Sequence, residues 1–152
     1  MEHISIVDDS IYFGKYTDQS ILEALSNLKI TTILDLTHFF ENLPSYEVPD
    51  TMKRIHFEIV DRGIEEDEKV TQLIEYLISN ESFPIYIHCK NGHGRSSSIS
   101  SILYGKMNNK NADESINYIK ISHQKRTVVS RRVRQLNTPM NDIQKEQIYR
   151  LL

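Results

Sequence analysis

The sequence predicts an α/β fold in which helices flank a central, mostly parallel sheet of four or five strands. Two short runs rich in β-branched residues, 31–36 and 85–87, indicate buried strands. Segments with apolar residues at helical spacing separate the strand-like runs, so strand, helix and strand alternate along the chain. This alternation favours parallel strands, because a crossover helix returns the chain to the same end of the sheet.

The N-terminal segment predicts a hairpin followed by a β-α-β unit. Residues 4–7 and 11–13 are short apolar runs separated by a polar turn, and Gly14 closes the expected hairpin. Asp18 is the expected N-cap of a helix that leads into the strand at 31–36.

The middle of the chain predicts a loop, a strand and a helix. Residues 38–50 contain two prolines and are expected to form an irregular loop near the functional site. Tyr46 in this loop has two open roles, stacking on a substrate ring or packing the loop down. Residues 52–60 predict a strand that ends at Asp61. The apolar stripe of the next helix consists of Val70, Leu73, Ile74, Leu77 and Ile78.

The C-terminal part predicts two helices and one basic stretch. Asn111 and Glu114 have the spacing of a capping box, and a last helix at about 141–152 is expected to close the core. The basic stretch, 123–134, fits either a solvated helix face or a rim that attracts anionic substrates or binds a partner. Its cationic residues are Lys125, Arg126, Arg131, Arg132 and Arg134. The core positions expected in the last helix are Ile143, Ile148 and either Leu151 or Leu152.

Composition is that of an ordinary globular protein, and we expect one domain over residues 1–152. Hydrophobic residues make up 39% of the chain and charged residues 26%, and the net charge of −3 excludes a bulk attraction to nucleic acid or membrane. Any anion site must therefore be local. A single cysteine excludes an intramolecular disulfide, and no apolar run reaches membrane-spanning length. We expect a cytoplasmic, reducing environment, because the N-terminus also lacks a signal-peptide pattern.

Residues 85–101 predict a strand, a tight loop and a helix, which together form a phosphate-binding cradle. Asn91, Gly92 and Gly94 tolerate tight or left-handed backbone geometry. Such a loop directs amide N–H groups inward and ends at a helix N-terminus, where an anion is favoured. The expected phosphate-binding residues are Lys90, Asn91, Gly92, His93, Gly94 and Arg95.

Cys89 and Arg95 open and close this loop, with five residues between them. A helix N-terminus and nearby cations stabilise a thiolate, so Cys89 is a candidate nucleophile. The planar guanidinium of Arg95 can grip two phosphate oxygens at once. The alternative is that Cys89 is a small core residue and Arg95 a surface charge.

Asp61 is the candidate general acid. When a nucleophile attacks a bound phosphate ester, an alkoxide or phenoxide must leave, and a nearby carboxyl group can protonate its oxygen. It lies 28 positions before Cys89, and an intervening helix returns the chain to the same edge of the sheet. Asp67 is the second candidate. It belongs to an acidic run, Glu65 to Glu68, that is expected to cap and charge the start of the helix.

The segment from His88 to Ser96, HCKNGHGRS, resembles the HCxxGxxRS signature of cysteine-based protein tyrosine phosphatases. The short chain is similar to their dual-specificity branch, and residues 12–37 resemble the N-terminal portion of that branch. The resemblance implies a two-step phosphatase without a metal or other cofactor. It also implies that His88 orients the loop and that the Ser96 hydroxyl helps to expel the thiolate.

The resemblance implies phosphorylated substrates. The first expectation is proteins that carry phosphotyrosine and phosphoserine or phosphothreonine. Lys90 and His93 are expected to point towards the mouth of the site, as basic residues do in relatives that act on phosphoinositides. Phosphoinositides are therefore the second expectation, and the 5′ ends of RNA are the third. A phosphate-binding pseudoenzyme is the alternative from another functional class.

Overall fold

A computed structural model describes residues 2–126 and 138–152, and its centre is a five-stranded sheet. The strand order is β1-β2-β5-β3-β4, with β1 antiparallel to β2 and all other pairs parallel. The predicted mostly parallel α/β fold is confirmed. The strands are β1 (Ile4–Ile6), β2 (Ile11–Gly14), β3 (Thr32–Asp35), β4 (Lys53–His56) and β5 (Ile85–His88).

Five α-helices and one short 3-10 turn, Phe39–Glu41, surround the sheet in the described part of the chain. Asp18 caps the first helix by accepting a hydrogen bond from the Ile21 amide at 2.9 Å, as predicted. The capping box of Asn111 and Glu114 is also present. The helices are α1 (Gln19–Asn27), α2 (Asp67–Ser79), α3 (Gly94–Asn108), α4 (Ala112–Gln124) and α5 (Asp142–Leu151).

Alternate residues of the strands enter two cores on opposite faces of the sheet. Ile33 and Tyr86 pack with helix α1 on one face. Leu34, Ile85 and Ile87 pack on the other face with apolar residues of α2, α3, α4 and α5. Helices cover both faces, so the central strands β2, β5 and β3 are buried on both sides, whereas the edge strand β4 is largely exposed.

Several predicted boundaries and core positions were wrong. The strand expected at 52–60 ends at His56, because β3 ends opposite at Asp35 and the following residues reach only its last carbonyls. Ile78 lies on the exposed side of α2, and Glu66 at the start of that helix makes no capping hydrogen bond. Ile143 of α5 is also exposed.

The basic stretch is not a uniform solvated face. Lys125 is exposed, but Arg126 is buried and donates hydrogen bonds to Ser5 Oγ at 2.6 Å and to the Phe13 carbonyl at 3.2 Å. Its guanidinium lies 5.0 Å from the centre of the Phe13 ring. The remaining cations, Arg131, Arg132 and Arg134, lie outside the described residues.

Over residues 2–126 and 138–152, no helix has both the length and the hydrophobicity needed to cross a membrane.

Candidate active site

The loop between β5 and α3 packs closely against the end of β2. Gly92 has a φ of 74°, and a Cβ atom built on it would lie 2.3 Å from the Gly14 carbonyl carbon. The Lys90 carbonyl accepts a hydrogen bond from the Tyr16 amide at 3.1 Å. A residue with a side chain therefore cannot replace Gly92 without moving two backbone segments apart.

Cys89 is buried at the start of this loop. Its Sγ atom donates a hydrogen bond to Ser96 Oγ at 3.4 Å. Arg95 and Arg126 both interact electrostatically with Cys89. Burial lowers the pKa of Arg126 to about 10, which leaves its guanidinium charged at neutral pH. The Cys89 sulfur therefore lies within the electrostatic field of two guanidinium groups.

Arg95 is clamped by a carboxylate that the sequence analysis missed. Its Nη1 and Nη2 atoms lie 2.5 and 2.9 Å from the two carboxylate oxygens of Glu41, and Nη1 also donates to the Ile59 carbonyl at 2.9 Å. Burial is the largest single effect and lowers the pKa of Arg95, but the hydrogen bond to Glu41 and the charges of Cys89, Glu41 and Asp61 together raise it. Burial is likewise the largest effect on Glu41 and raises its pKa, but the bond to Arg95, the His38 amide and the charges of Arg95 and Lys90 together lower it.

The contacts of Arg95 leave one edge of its guanidinium available. Glu41 and the Ile59 carbonyl use both hydrogens of Nη1 and one of Nη2. The Nε hydrogen and the second Nη2 hydrogen form no hydrogen bond to another described residue, and the further contact of Nη2 is an ion pair with Asp61 Oδ1 at 3.4 Å. This Nε–Nη2 edge has the geometry for bidentate binding of a phosphate.

Asp61, rather than Asp67, lies beside this arginine. Asp61 Oδ1 is 3.4 Å from Arg95 Nη2, and the Asp61 side chain is 61% exposed. Asp67 instead pairs with Arg150 of helix α5, at 2.7 Å from Nε and 3.0 Å from Nη2. That pairing and a hydrogen bond from Gln147 lower the pKa of Asp67 to about 2, so it is ionised at neutral pH. Of the two candidate acids, Asp61 is therefore the one that lies beside Arg95.

A family model described as dual specificity phosphatase, catalytic domain, matches residues 11–141. The chain belongs to this family. The curated "Putative tyrosine phosphatase 197R" of Invertebrate iridescent virus 6 is 30% identical over 128 residues, or 78% of this chain. The matched region is 47% of that viral protein, so the chain spans about half the length of this relative.

Solved structures share the fold of this dual specificity phosphatase domain at low sequence identity. Tk-PTP in its active form has a TM-score of 0.75 at 16% identity, covering 98% of this chain and 95% of that one. PTPMT1 in complex with PI(5)P has a TM-score of 0.76 at 12% identity, with coverage of 99% and 94%.

In this dual specificity phosphatase domain, His88 links the loop to a buried polar network. His88 Nδ1 lies 3.2 Å from the Cys89 carbonyl, and its Nε2 lies 2.7 Å from the Tyr46 hydroxyl. Burial lowers the pKa of His88 despite nearby Asp35. A neutral His88 that donates from Nδ1 and accepts from Tyr46 fits both distances. Of the two roles left open for Tyr46, the structure shows packing.

His93 does not point towards the mouth of the site, which corrects the sequence-based expectation. It is half-buried, and its Nδ1 lies 2.9 Å from Nε2 of the buried His123. Burial, followed by the positive charge of Arg126, lowers the pKa of His93 to about 4. His93 therefore adds no charge to the site at neutral pH. Lys90 and Asn91 are exposed on the loop, and Gly94 begins helix α3.

Proposed function

We propose that this domain hydrolyses phosphomonoesters through a phosphocysteine on Cys89. The observation that carries this proposal is the meeting of two separate segments at one guanidinium. Arg95 follows the loop that Cys89 opens, and it lies 3.4 Å from Asp61 of the segment after β4. A nucleophile, an anion clamp and a proton donor therefore share one edge of the sheet.

In the first step, the Cys89 thiolate attacks phosphorus. A sulfur–phosphorus bond forms while the phosphorus–oxygen bond to the leaving group breaks, and Asp61 gives its proton to the departing oxygen. The free Nε–Nη2 edge of Arg95 and the amides of Lys90 to Arg95 bind the equatorial oxygens. They stabilise the developing charge with groups already held in place.

In the second step, water cleaves the phosphocysteine. Asp61, now a carboxylate, removes a proton from the water as its oxygen attacks phosphorus, and the sulfur–phosphorus bond breaks. Ser96 Oγ, at 3.4 Å from Cys89 Sγ, donates a hydrogen bond to the departing thiolate. Inorganic phosphate leaves, and the free enzyme is restored.

Glu41 and His88 support these reacting groups. Glu41 holds the Nη1–Nη2 edge of Arg95, so that the other edge is presented to the phosphate. His88 fixes the carbonyl of the nucleophile through Nδ1, and Tyr46 fixes His88 in turn. Such restraints reduce the reorganisation needed during reaction.

The proposed substrates are phosphotyrosine and phosphoserine or phosphothreonine proteins. Phe39 and Phe40 are 62% and 74% exposed, and they immediately precede Glu41, which suits a side chain or peptide with apolar character. The charge of Lys90 interacts with the carboxylate of Glu41, and His93 is neutral because its pKa is about 4. The electrostatic attraction of the loop side chains for a polyphosphorylated ligand is therefore limited. Phosphoinositides, the second expectation, and RNA 5′ ends, the third, demand more positive charge.

The test is turnover of p-nitrophenyl phosphate between pH 5 and 8. Cys89→Ser is expected to abolish turnover yet still bind vanadate or phosphate, because a hydroxyl replaces the thiol with little change in volume. Asp61→Asn is expected to lower the rate on alkyl or unactivated aryl phosphates by about 10²–10⁴-fold. It is also expected to remove the alkaline limb of the profile. An inert wild type that binds phosphate would contradict the proposal and identify a phosphate-binding module.

A further inference from the structure

Four side chains of helix α5 and its cap hold the segment that follows Asp61. Asn141 Nδ2 donates to the Arg62 carbonyl at 2.8 Å, and Gln144 Nε2 donates to the Gly63 carbonyl at 3.3 Å. Gln147 Nε2 donates to the Glu65 carbonyl at 2.6 Å and to Asp67 Oδ1 at 3.0 Å. Arg150 completes the row through its ion pair with Asp67. We call residues 61–67 the acid loop and these four residues the α5 row.

The spacing of the α5 row explains how one helix follows the loop. Residues three apart form an oblique row on a helix surface, and the loop runs along that row from Arg62 to Asp67. Gln144 and Gln147 are each only 1% exposed. A buried amide is costly unless it is hydrogen-bonded, so these bonds are the reason that glutamines are tolerated there.

The acid itself lies in a turn that has few other restraints. The Gly63 amide donates to the Val60 carbonyl at 2.8 Å, which places Asp61 and Arg62 at the centre of a tight turn. Arg62 has a φ of 65°, a left-handed conformation that costs roughly 1 kcal/mol or more for a residue with a Cβ. The carbonyls of Arg62 and Gly63 are two of those fixed by the α5 row.

Gln144 also connects the acid loop to the phosphate loop. A Cβ atom on Gly94 would lie 3.0 Å from Gln144 Oε1, so the amide packs directly on the first residue of α3. One side chain thus contacts both segments whose relative position sets the distance from acid to nucleophile.

We propose that Asn141, Gln144 and Gln147 are positioning residues that hold Asp61 for proton transfer. The inference rests on the proposed role of Asp61 as general acid. A displacement of about 1 Å in a reacting group can cost about a hundredfold in rate. A displaced Asp61 slows the cleavage of substrates whose leaving oxygen must be protonated. Changes in the α5 row should therefore slow substrates with poor leaving groups more than substrates with good ones.

The experiment compares phenyl phosphate, which has a poor leaving group, with 2,4-dinitrophenyl phosphate, which has a good one. Gln147→Met keeps the volume of the side chain and removes its donor. Asn141→Ser keeps a good N-cap and removes the bond to the Arg62 carbonyl. Asn111→Ser is the matched control, because Asn111 caps α4 by the same capping box and has no contact with the acid loop.

We expect Gln147→Met and Asn141→Ser to lower kcat/KM on phenyl phosphate by about tenfold and on 2,4-dinitrophenyl phosphate by less than about twofold. The ratio kcat/KM is compared because it covers the steps up to departure of the leaving group and leaves out the hydrolysis of the phosphocysteine, which both substrates share. Asn111→Ser is expected to change neither rate. In an Asp61→Asn background, the two α5 changes are expected to have no further effect on phenyl phosphate, because their effect passes through the carboxyl group. A merely structural role would lower both rates and would add to Asp61→Asn.

Two results would overturn the inference, and they differ in what else they overturn. Equal losses on both substrates, or effects that add to Asp61→Asn, would show that the α5 row does not act through the acid. If Asp61→Asn itself left phenyl phosphate turnover unchanged, the assignment of the acid would fail and the role of the row with it. An inert wild type on both substrates would instead refute the proposed function.

Discussion

His93 illustrates how one residue of the loop can serve stability instead of substrate binding. Its ring is bonded to His123, and its pKa of about 4 keeps it neutral in the folded protein. An unfolded histidine binds a proton below a pH of about 6.5. Between these values the unfolded chain takes up a proton that the folded protein does not, so acid destabilises the fold.

We predict that stability falls as the pH is lowered from about 6.5 to about 4, with little further loss from this residue at lower pH. The contribution of His93 is no more than about 3 kcal/mol. His93→Gln should flatten this part of the profile, measured as the free energy of unfolding in urea at several pH values. His56→Gln, on edge strand β4, is the matched control, and equal slopes in wild type and His93→Gln would contradict the prediction.

The positions of Cys89 and Arg95 were predictable because the end of β5 and the start of α3 fix them locally. Asp61 was expected at the end of a strand, but β4 already ends at His56, and only the edge of the sheet was predicted correctly. Glu41 was not predictable, because its contact with Arg95 depends on the path of a loop that the sequence only marks as irregular. One signal was present: Glu41 lies three residues after His38, and its Oε1 accepts from the His38 amide at 2.8 Å to cap the 3-10 turn. A cap of that kind predicts a turn but not its distant partner.

At the level of elements, the 3-10 turn Phe39–Glu41 combines an anion clamp with an apolar surface. The rings of Phe39 and Phe40 are 4.1 Å apart, and both stack on His38. Val60, next to Asp61, is also exposed. Exposed apolar side chains from two segments thus flank the residues that contact Arg95, which favours an aromatic substrate group.

We predict that changing both Phe39 and Phe40 to Ala lowers kcat/KM for a phosphotyrosine peptide by about two- to tenfold. A phosphothreonine peptide, with no ring to stack, should be affected less. Tyr76→Ala, an exposed aromatic residue on α2, is the matched control. A soluble phosphoinositide and a 5′-triphosphorylated RNA complete the panel, and a preference for either above about tenfold would overturn the proposed substrate order.

Helix α5 and Arg126 were misjudged for the same reason, which is that their polar side chains bond to backbone and side-chain groups far away in the sequence. Helix α5 follows an apolar pattern only in part, because Gln144 and Gln147 take buried positions to reach the acid loop. Arg126 is buried because β1 and the Phe13 carbonyl satisfy its donors. The apolar periodicity of a sequence indicates which side of a helix is buried, but it does not show which distant polar groups that side will contact.

Across the whole molecule, the parallel sheet decides which segments can meet. The carboxyl ends of β3, β4 and β5 lie at one edge, so the segments that carry Glu41, Asp61 and Cys89 converge there. The convergence of the segments that carry Asp61 and Cys89 was predictable from the strand-helix-strand order. The return of α5 across the acid loop was not, because no local pattern specifies where a last helix docks.

The close approach of Gly14 to Gly92 shows that the hairpin of β1 and β2 supports the loop of the proposed phosphate site. A Cβ on Gly14 would lie 2.3 Å from the His3 carbonyl oxygen and 2.5 Å from the Tyr86 hydroxyl, so an added methyl group must shift the Gly14 backbone on which Gly92 packs. Gly14→Ala should therefore weaken vanadate binding, measured by titration calorimetry, although residue 14 touches no substrate. Gly105→Ala adds the same methyl group against the flexible Leu152 side chain and should spare binding. Equal affinities in wild type and Gly14→Ala would show that the loop keeps its shape without this support. If binding weakens, the affinity of the proposed site for phosphate depends on the hairpin of β1 and β2 as well as on the loop between β5 and α3.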